Sequence, residues 1–324
     1  MAVVTLARHA MATRFEIVLH GDNPVGLRAA GEEALEEIDR LEAQLSLFRP
    51  SSEIANLNAR AAREGVRVTP PLFSLLEHAR LLSEESGGAF DITVAPLVRC
   101  WGFMDGTGSK PRDQALVQAR ASVGMHLVEL QRNDYTVRFQ RPGVMLDLGA
   151  IGKGYAIERA AEILREAGVT SALIHGGTST IYGLGHPPEA EFWEIALPNP
   201  ANPTGDLPAG GAQGALSGGF VKVTLRNEAL SVSAVWGKFF QIEGKKLGHV
   251  IDPRTGQPAT NAVMAAVVLP SATETDALST ALLTLGLEGH DRIARLRPAI
   301  RTLVVAEDEG RRLRKSQGID GDWG

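Results

Sequence analysis

The chain has 324 residues, 44% hydrophobic and 22% charged, an ordinary globular balance with ample length for a sizeable core. A formal net charge of −5 offers no basic surface for nucleic acid, and no apolar stretch is long enough for a transmembrane segment. The single cysteine, Cys100, excludes an intrachain disulfide and a thiolate metal cluster, and its apolar surroundings read it as a small buried hydrophobe.

The N-terminus, Met1 to Arg8, lacks the basic n-region and full apolar core of a secretion signal and carries no lipobox cysteine, so a cytoplasmic protein is expected. Alternation from Arg14 to His20 predicts a half-buried strand, closed by the turn formers Gly21 to Pro24. An amphipathic helix follows from about Pro24 to Leu45, with Leu27, Ala34, Ile38, Leu41 and Leu45 on one stripe. Thr69 ahead of Pro70 predicts a second capped helix, with Leu72, Leu76, Ala79 and Leu82 facing inward and a stop at Gly87 and Gly88. Val144 to Leu148 reads as a buried strand, Gly152 to Ala167 as a helix ended by Gly168, and Ser171 to His175 as another buried strand. Gly183 to Gly219 is rich in Pro and Gly around one strand, Phe192 to Leu197. Its second half, about 198–219, reads as an exposed loop inside one domain spanning 1–324, because strand patterns resume at Phe220 and Ala229. Gly248 to Asp252 reads as a short strand ending in a tight turn built by Pro253 and Gly256, and Val263 to Leu269 as a further strand. Thr302 to Ala306 and Arg311 to Ser316 flank Asp308 to Gly310 as an edge hairpin. Helices and strands mix without strict alternation, so the fold class expected is α+β rather than a doubly wound sheet.

Ser271 with Glu274 is a capping box, and Leu278, Ala281, Leu282 and Leu285 recur at helical spacing up to Gly286, a left-handed stop. Asp276 and Thr280 fall one turn apart near the positive end of that helix, where a carboxylate and a hydroxyl suit a hard cation such as Mg²⁺. Taken alone, the pair reads more simply as a first-turn acid and a surface threonine. Asp147 to Tyr155 joins the strand to a helix through glycines that permit close ligand approach, with helix amides as anion donors. Neither a Walker A loop nor a dinucleotide fingerprint is present, since Gly154 follows Lys153. A plain strand–helix turn accounts for these residues equally well, and Lys153 tips the reading towards a phosphate. His249 has the chemistry of a general base, although a lone histidine is more often structural, and Asp252 before Pro253 is a turn former. Asp91 with Trp101 and Phe103 beside a glycine pair, and Phe48 ahead of Ser52 to Asn58, each read alone as loop and core.

Together and in this order, the segments resemble the ApbE family of FAD:protein FMN transferases. The blocks are Met11 to Thr13, Leu45 to Phe48 with Ser52 to Ile54 and Leu57 to Asn58, Gly88 to Asp91 with Trp101 to Phe103, and Asp147 to Tyr155. They continue through Gly176 and Gly177, His249 to Pro253, and Asp276 to Thr280, covering nearly the whole chain. The resemblance implies FAD as substrate, a divalent cation, normally Mg²⁺, and an acceptor protein whose Thr or Ser hydroxyl receives FMN with release of AMP. This is flavinylation, a post-translational modification. By matching positions, Asp276, the Thr280 hydroxyl and the Ala150 backbone oxygen bind the metal. Met11, Phe48, Ala89, Phe90, Asp91, Asp147, Ala150, Lys153, His249 and Val250 line the flavin site, expected in a central cleft. His249 falls at the family's base for the acceptor hydroxyl, with Asp276 and Lys153 completing the catalytic set. Thr178 stands where the family commonly has Asp or Asn, Lys238 where arginine is usual, and the loop near Gly210 is long. Many members are exported lipoproteins, which keeps a periplasmic location open if a leader is missing from this sequence. Two rival functions remain: an FAD pyrophosphatase giving FMN and AMP, and a non-catalytic flavin-binding protein. The latter has no use for a metal-assisted, base-activated nucleophile.

Overall fold

The computed structural model describes residues 1–200, 221–236, 239–242, 245–308 and 311–321. In chain order, β1 (Ala2–Ala10) and β2 (Thr13–Gly21) form a hairpin that leads into α1 (Pro24–Leu45). Asn23 caps α1 by accepting the Gly26 N–H at 3.0 Å, and the stripe from Leu27 to Leu45 is buried. Then follow α2 (Glu53–Arg60), β3 (Val66–Arg67), α3 (Pro70–Ser86), α4 (Ala95–Cys100), α5 (Asp113–Arg120), β4 (Val128–Gln131) and β5 (Thr136–Phe139). The second half contains α6 (Gly152–Glu166), β6 (Ala172–Gly176), β7 (Thr180–Leu184), β8 (Trp193–Leu197), β9 (Val221–Leu225) and β10 (Glu228–Ala234). It ends with β11 (Phe239–Ile242), β12 (Lys245–Gly248), β13 (Met264–Leu269), α7 (Ala272–Ala294), β14 (Arg301–Asp308) and β15 (Arg311–Gln317).

The architecture is α+β. Eight strands form one sheet in the order β1-β2-β6-β7-β10-β13-β14-β15, with every neighbouring pair antiparallel. Helices α1, α6 and α7 cover one face, and the β8–β9 hairpin covers the other. Strand β13 shows why an uninterrupted apolar run was required. Ala265, Val267 and Leu269 face the helices, while Met264, Ala266 and Val268 face the hairpin layer, so all six are buried. A small sheet, β3-β5-β4, extends the helical layer. A third, separate cluster gathers Leu97, Trp101 and Ile251 with Phe103, Phe240 and Leu247.

Several expectations need correction. Strand β1 was not anticipated, although Val4 and Leu6 alternate inward and pair with Leu19 and Ile17. Val144 to Leu148 forms no strand: both backbone groups of Leu146 bond the Asn58 side chain, at 2.8 and 3.0 Å, in place of a neighbouring strand. Residues 249–252 likewise make only an isolated bridge, between Ile251 and Pro258. Thr69 stands at the cap of α3 without capping it, because its N–H and hydroxyl are engaged by Glu53 and Gln44. Gly286 is the left-handed stop expected: with φ 67° and ψ −157° it breaks α7, and a second helical stretch follows directly to Ala294, which was not anticipated. Cys100 is half-buried at the end of α4 rather than fully enclosed. The loop from 201 onward, Lys238 and the turn at 309–310 lie outside the described residues.

Candidate active site

A cavity of 670 Å³ opens where the N-termini of α6 and α7 meet the turn before α6, the segment after α3 and the residues following β12. That size is ordinary for a ligand site. Every side chain singled out from the sequence for binding or catalysis lines it, with contributions from Met11 on the β1–β2 turn to Thr280 on α7.

The convergence of the two helices depends on Gly154. A Cβ there would lie 2.1 Å from the Ala272 carbonyl oxygen and 2.7 Å from Asp276 Cβ, so only glycine lets the helix ends touch. The contact places the Gly154 N–H 3.0 Å from Asp276 Oδ2, making Asp276 a cap for the neighbouring helix. Asp276 is therefore buried, at 4% exposure, and the acid in the first turn of α7 is Glu274. Ser271 caps α7 by accepting the Glu274 N–H at 3.2 Å. Glu274 does not complete the capping box. It pairs instead with Arg297 at 2.8 Å and His78 at 3.1 Å, and Arg297 also binds Glu85, tying α7 to α3. Burial opposes the charge on Glu274, yet those partners hold its carboxyl down to about 2 from an ordinary 4.5.

Lys153 donates to the Gly149 carbonyl at 3.0 Å, and its Nζ stands 3.9 Å from Asp276 Oδ1. The ammonium thus sits beside two helix N-termini, a concentration of positive potential suited to a di-anionic or pyrophosphate group. Thr280 Oγ1 donates to the Asp276 carbonyl at 3.2 Å and lies 3.3 Å from Ser233 Oγ. Among the described residues the Ala150 carbonyl accepts no backbone hydrogen bond, and no cluster of three or more His, Cys, Asp or Glu side chains forms a metal cage. Asp276, Thr280 and Ala150 all line the cavity, and a carboxylate, a hydroxyl and a carbonyl are hard oxygen donors. That chemistry fits Mg²⁺, which keeps several waters and takes few protein ligands.

Asp147 reaches the cavity from the segment that Asn58 pins. Burial raises its carboxyl above the usual range, opposed by the Gly149 N–H and by the nearby Lys153 and His249. Asp91 is buried in the wall, and burial also raises its carboxyl against hydrogen bonds from the Thr93 hydroxyl at 2.6 Å and the Met125 N–H at 3.0 Å. Ala89 and Phe90 are buried beside it, while Phe48 is 73% exposed at the mouth, an open aromatic face. Met11 enters from a two-residue turn in which Met11 and Ala12 have φ of 49° and 58°. Backbone strain of this kind, about 1–2 kcal/mol per residue, persists only where the surroundings impose it. His249 is exposed at the rim, and Val250 packs behind it against the main core. Asp252 forms the next turn as expected, accepting from the Arg254 backbone and side chain. Thr178, Ser179 and Ser233 also line the cavity. Nothing in their local sequence marks Ser179 or Ser233, which arrive through strand order alone.

Residues 11–304 match the ApbE family model. The chain belongs to the ApbE family. Among ApbE relatives, a FAD:protein FMN transferase of Treponema pallidum (strain Nichols) is 31% identical over 306 residues, covering 90% of this chain and 81% of the relative. A FAD:protein FMN transferase of Klebsiella pneumoniae (strain 342) is 31% identical over 275 residues, covering 84% and 80%. Among solved ApbE structures, the Thermotoga maritima protein superposes with a TM-score of 0.80 at 26% identity over 94% of each chain. The apo flavinyl transferase ApbE of Pseudomonas stutzeri gives 0.81 at 25% identity, covering 98% of this chain and 95% of its own.

Proposed function

We propose that this chain transfers FMN from FAD to a threonine or serine hydroxyl of an acceptor protein and releases AMP. The supporting observation is the single cavity that gathers an open aromatic face, two helix N-termini with Lys153, an oxygen donor set and a histidine at its mouth. FAD presents the groups that would occupy such a cleft: a planar ring for Phe48, and a pyrophosphate for the helix ends and Lys153. Asp276, Thr280 and the Ala150 carbonyl would hold Mg²⁺. When bound, that cation neutralises pyrophosphate charge ahead of nucleophilic attack.

The acceptor oxygen attacks the FMN phosphorus, the bond from that phosphorus to the bridging oxygen breaks, and AMP departs with that oxygen. His249 takes the hydroxyl proton, because a hydroxyl is a weak nucleophile until a neighbouring base removes it. Its exposed position at the rim suits a substrate that arrives on another protein. Lys153 balances the negative charge that accumulates on the leaving phosphate. Intact-mass spectrometry of an acceptor protein incubated with FAD and Mg²⁺ tests the reading. A mass gain matching FMN is the expected result. Free FMN and AMP with an unmodified acceptor would replace it with pyrophosphatase activity, and intact FAD would leave a binding protein.

A further inference from the structure

The block Trp101 to Phe103 touches no proposed role in FAD binding, yet it grips the segment carrying His249 from both sides. Upstream, the Phe103 ring stacks on Phe240 of β11, with centroids 4.3 Å apart and planes 6° apart. The chain from 101 to 109 closes on itself through the Ser109 N–H to the Trp101 carbonyl at 2.9 Å. Gly108 also lies against Phe240, where an added Cβ would come within 2.4 Å of the side chain. Downstream, Trp101 Nε1 donates to the Gly256 carbonyl at 2.8 Å, fixing the turn after His249. Leu247 and Ile251, two residues either side of His249, pack into this same cluster.

The cluster is separate from both main cores, and among the described residues the β11–β12 hairpin pairs with no other strand. The aromatic bracket therefore holds the hairpin upstream of the histidine and the turn downstream of it, while Val250 between them packs against the main core. The geometry points to Trp101 and Phe103 as positioning residues for His249, an inference that rests on the transfer reaction proposed above. A base acts only within hydrogen-bond reach of its proton, and a displacement of about 1 Å costs roughly 10²-fold in rate.

Phe103→Ala in the full chain is the test, read by steady-state kinetics, FAD binding through flavin fluorescence, and amide hydrogen exchange. The expected result is a kcat lower by roughly 10- to 100-fold with the FAD Kd changed less than about 3-fold. Exchange should accelerate in residues 247–257 and not in α1 or α6, and Phe103→Tyr, which keeps the ring, should recover most of kcat. An unchanged kcat overturns the inference. So does unchanged exchange in that segment, or a parallel loss of kcat, FAD affinity and melting temperature. If Phe103→Ala does not fold, Trp101→Phe, which removes the hydrogen bond to Gly256 and part of the buried indole but keeps an aromatic ring, takes the same readings. A wild-type protein that transfers no FMN would refute the proposed reaction, whereas the exchange pattern still decides whether the bracket holds the segment.

Discussion

Substituting Asp276 separates the cap it provides to α6 from the metal role proposed for it. Asp276 Oδ2 accepts the buried Gly154 N–H at 3.0 Å, while Oδ1 faces Lys153 and the cavity. Asp276→Ala removes a hydrogen bond to a charged acceptor and strands a buried donor, a loss of about 2–3 kcal/mol. With an unfolding entropy of about 2 cal/mol/K per residue, a chain of 324 residues loses roughly 3–4 °C in melting temperature. Asp276→Asn keeps an oxygen for the Gly154 N–H but removes the charge, so its melting temperature should fall by less. Both variants should lose turnover at limiting Mg²⁺. Differential scanning fluorimetry and a Mg²⁺ titration of FMN transfer, run on both proteins, provide the measurement. Equal melting temperatures for the Ala and Asn variants would refute the capping role. Wild-type turnover of Asp276→Asn at limiting Mg²⁺ would refute the metal role.

Lys153→Met keeps most of the side-chain volume, so it should weaken FAD binding or turnover with little change in melting temperature; an unfolded or fully active variant contradicts the charge role. His249→Ala should lower turnover by on the order of 10²–10⁴-fold while FAD affinity largely survives, and equal losses in both would make His249 a binding contact instead. The folded carboxyl of Glu274, held at about 2, lies below its ordinary 4.5, so the stabilisation from its ion pairs is complete above about 4.5 and disappears as pH falls towards 2. Thermal melts across that window should show the wild type losing its advantage over Glu274→Gln, and a constant difference would refute the network. Gly154→Ala should cost about 1–3 kcal/mol despite alanine's better helix propensity, because its Cβ meets helix backbone at 2.1 Å; a stabilised variant would show that the helix ends can part.

Local signals were sufficient for the elements whose limits depend on local physics. Helix α1 runs from Pro24 to Leu45 as its periodicity and capping residues require, and Gly87 ends α3 with φ 67°. The order of short motifs also carried the family and its candidate site residues, since side-chain chemistry is written in the sequence. Tertiary structure decided the rest, because partners distant in the chain supply the missing bonds. Leu146 resembles strand material, but Asn58, 88 positions earlier, satisfies its backbone and leaves Asp147 turned to the cavity. The first helix of α7 stops at Gly286 as the sequence indicates, but the second follows at once, and Asn261, distant in the chain, bonds the Thr284 carbonyl freed at the break at 2.8 Å. Asp276 reads as a first-turn acid of its own helix until α6 is packed beside it and offers the Gly154 N–H. The cavity itself is no property of any segment. It exists because the antiparallel sheet brings β1, β6 and β10 into one layer, so that Met11, Thr178 and Ser233 meet the ends of two helices laid across its face.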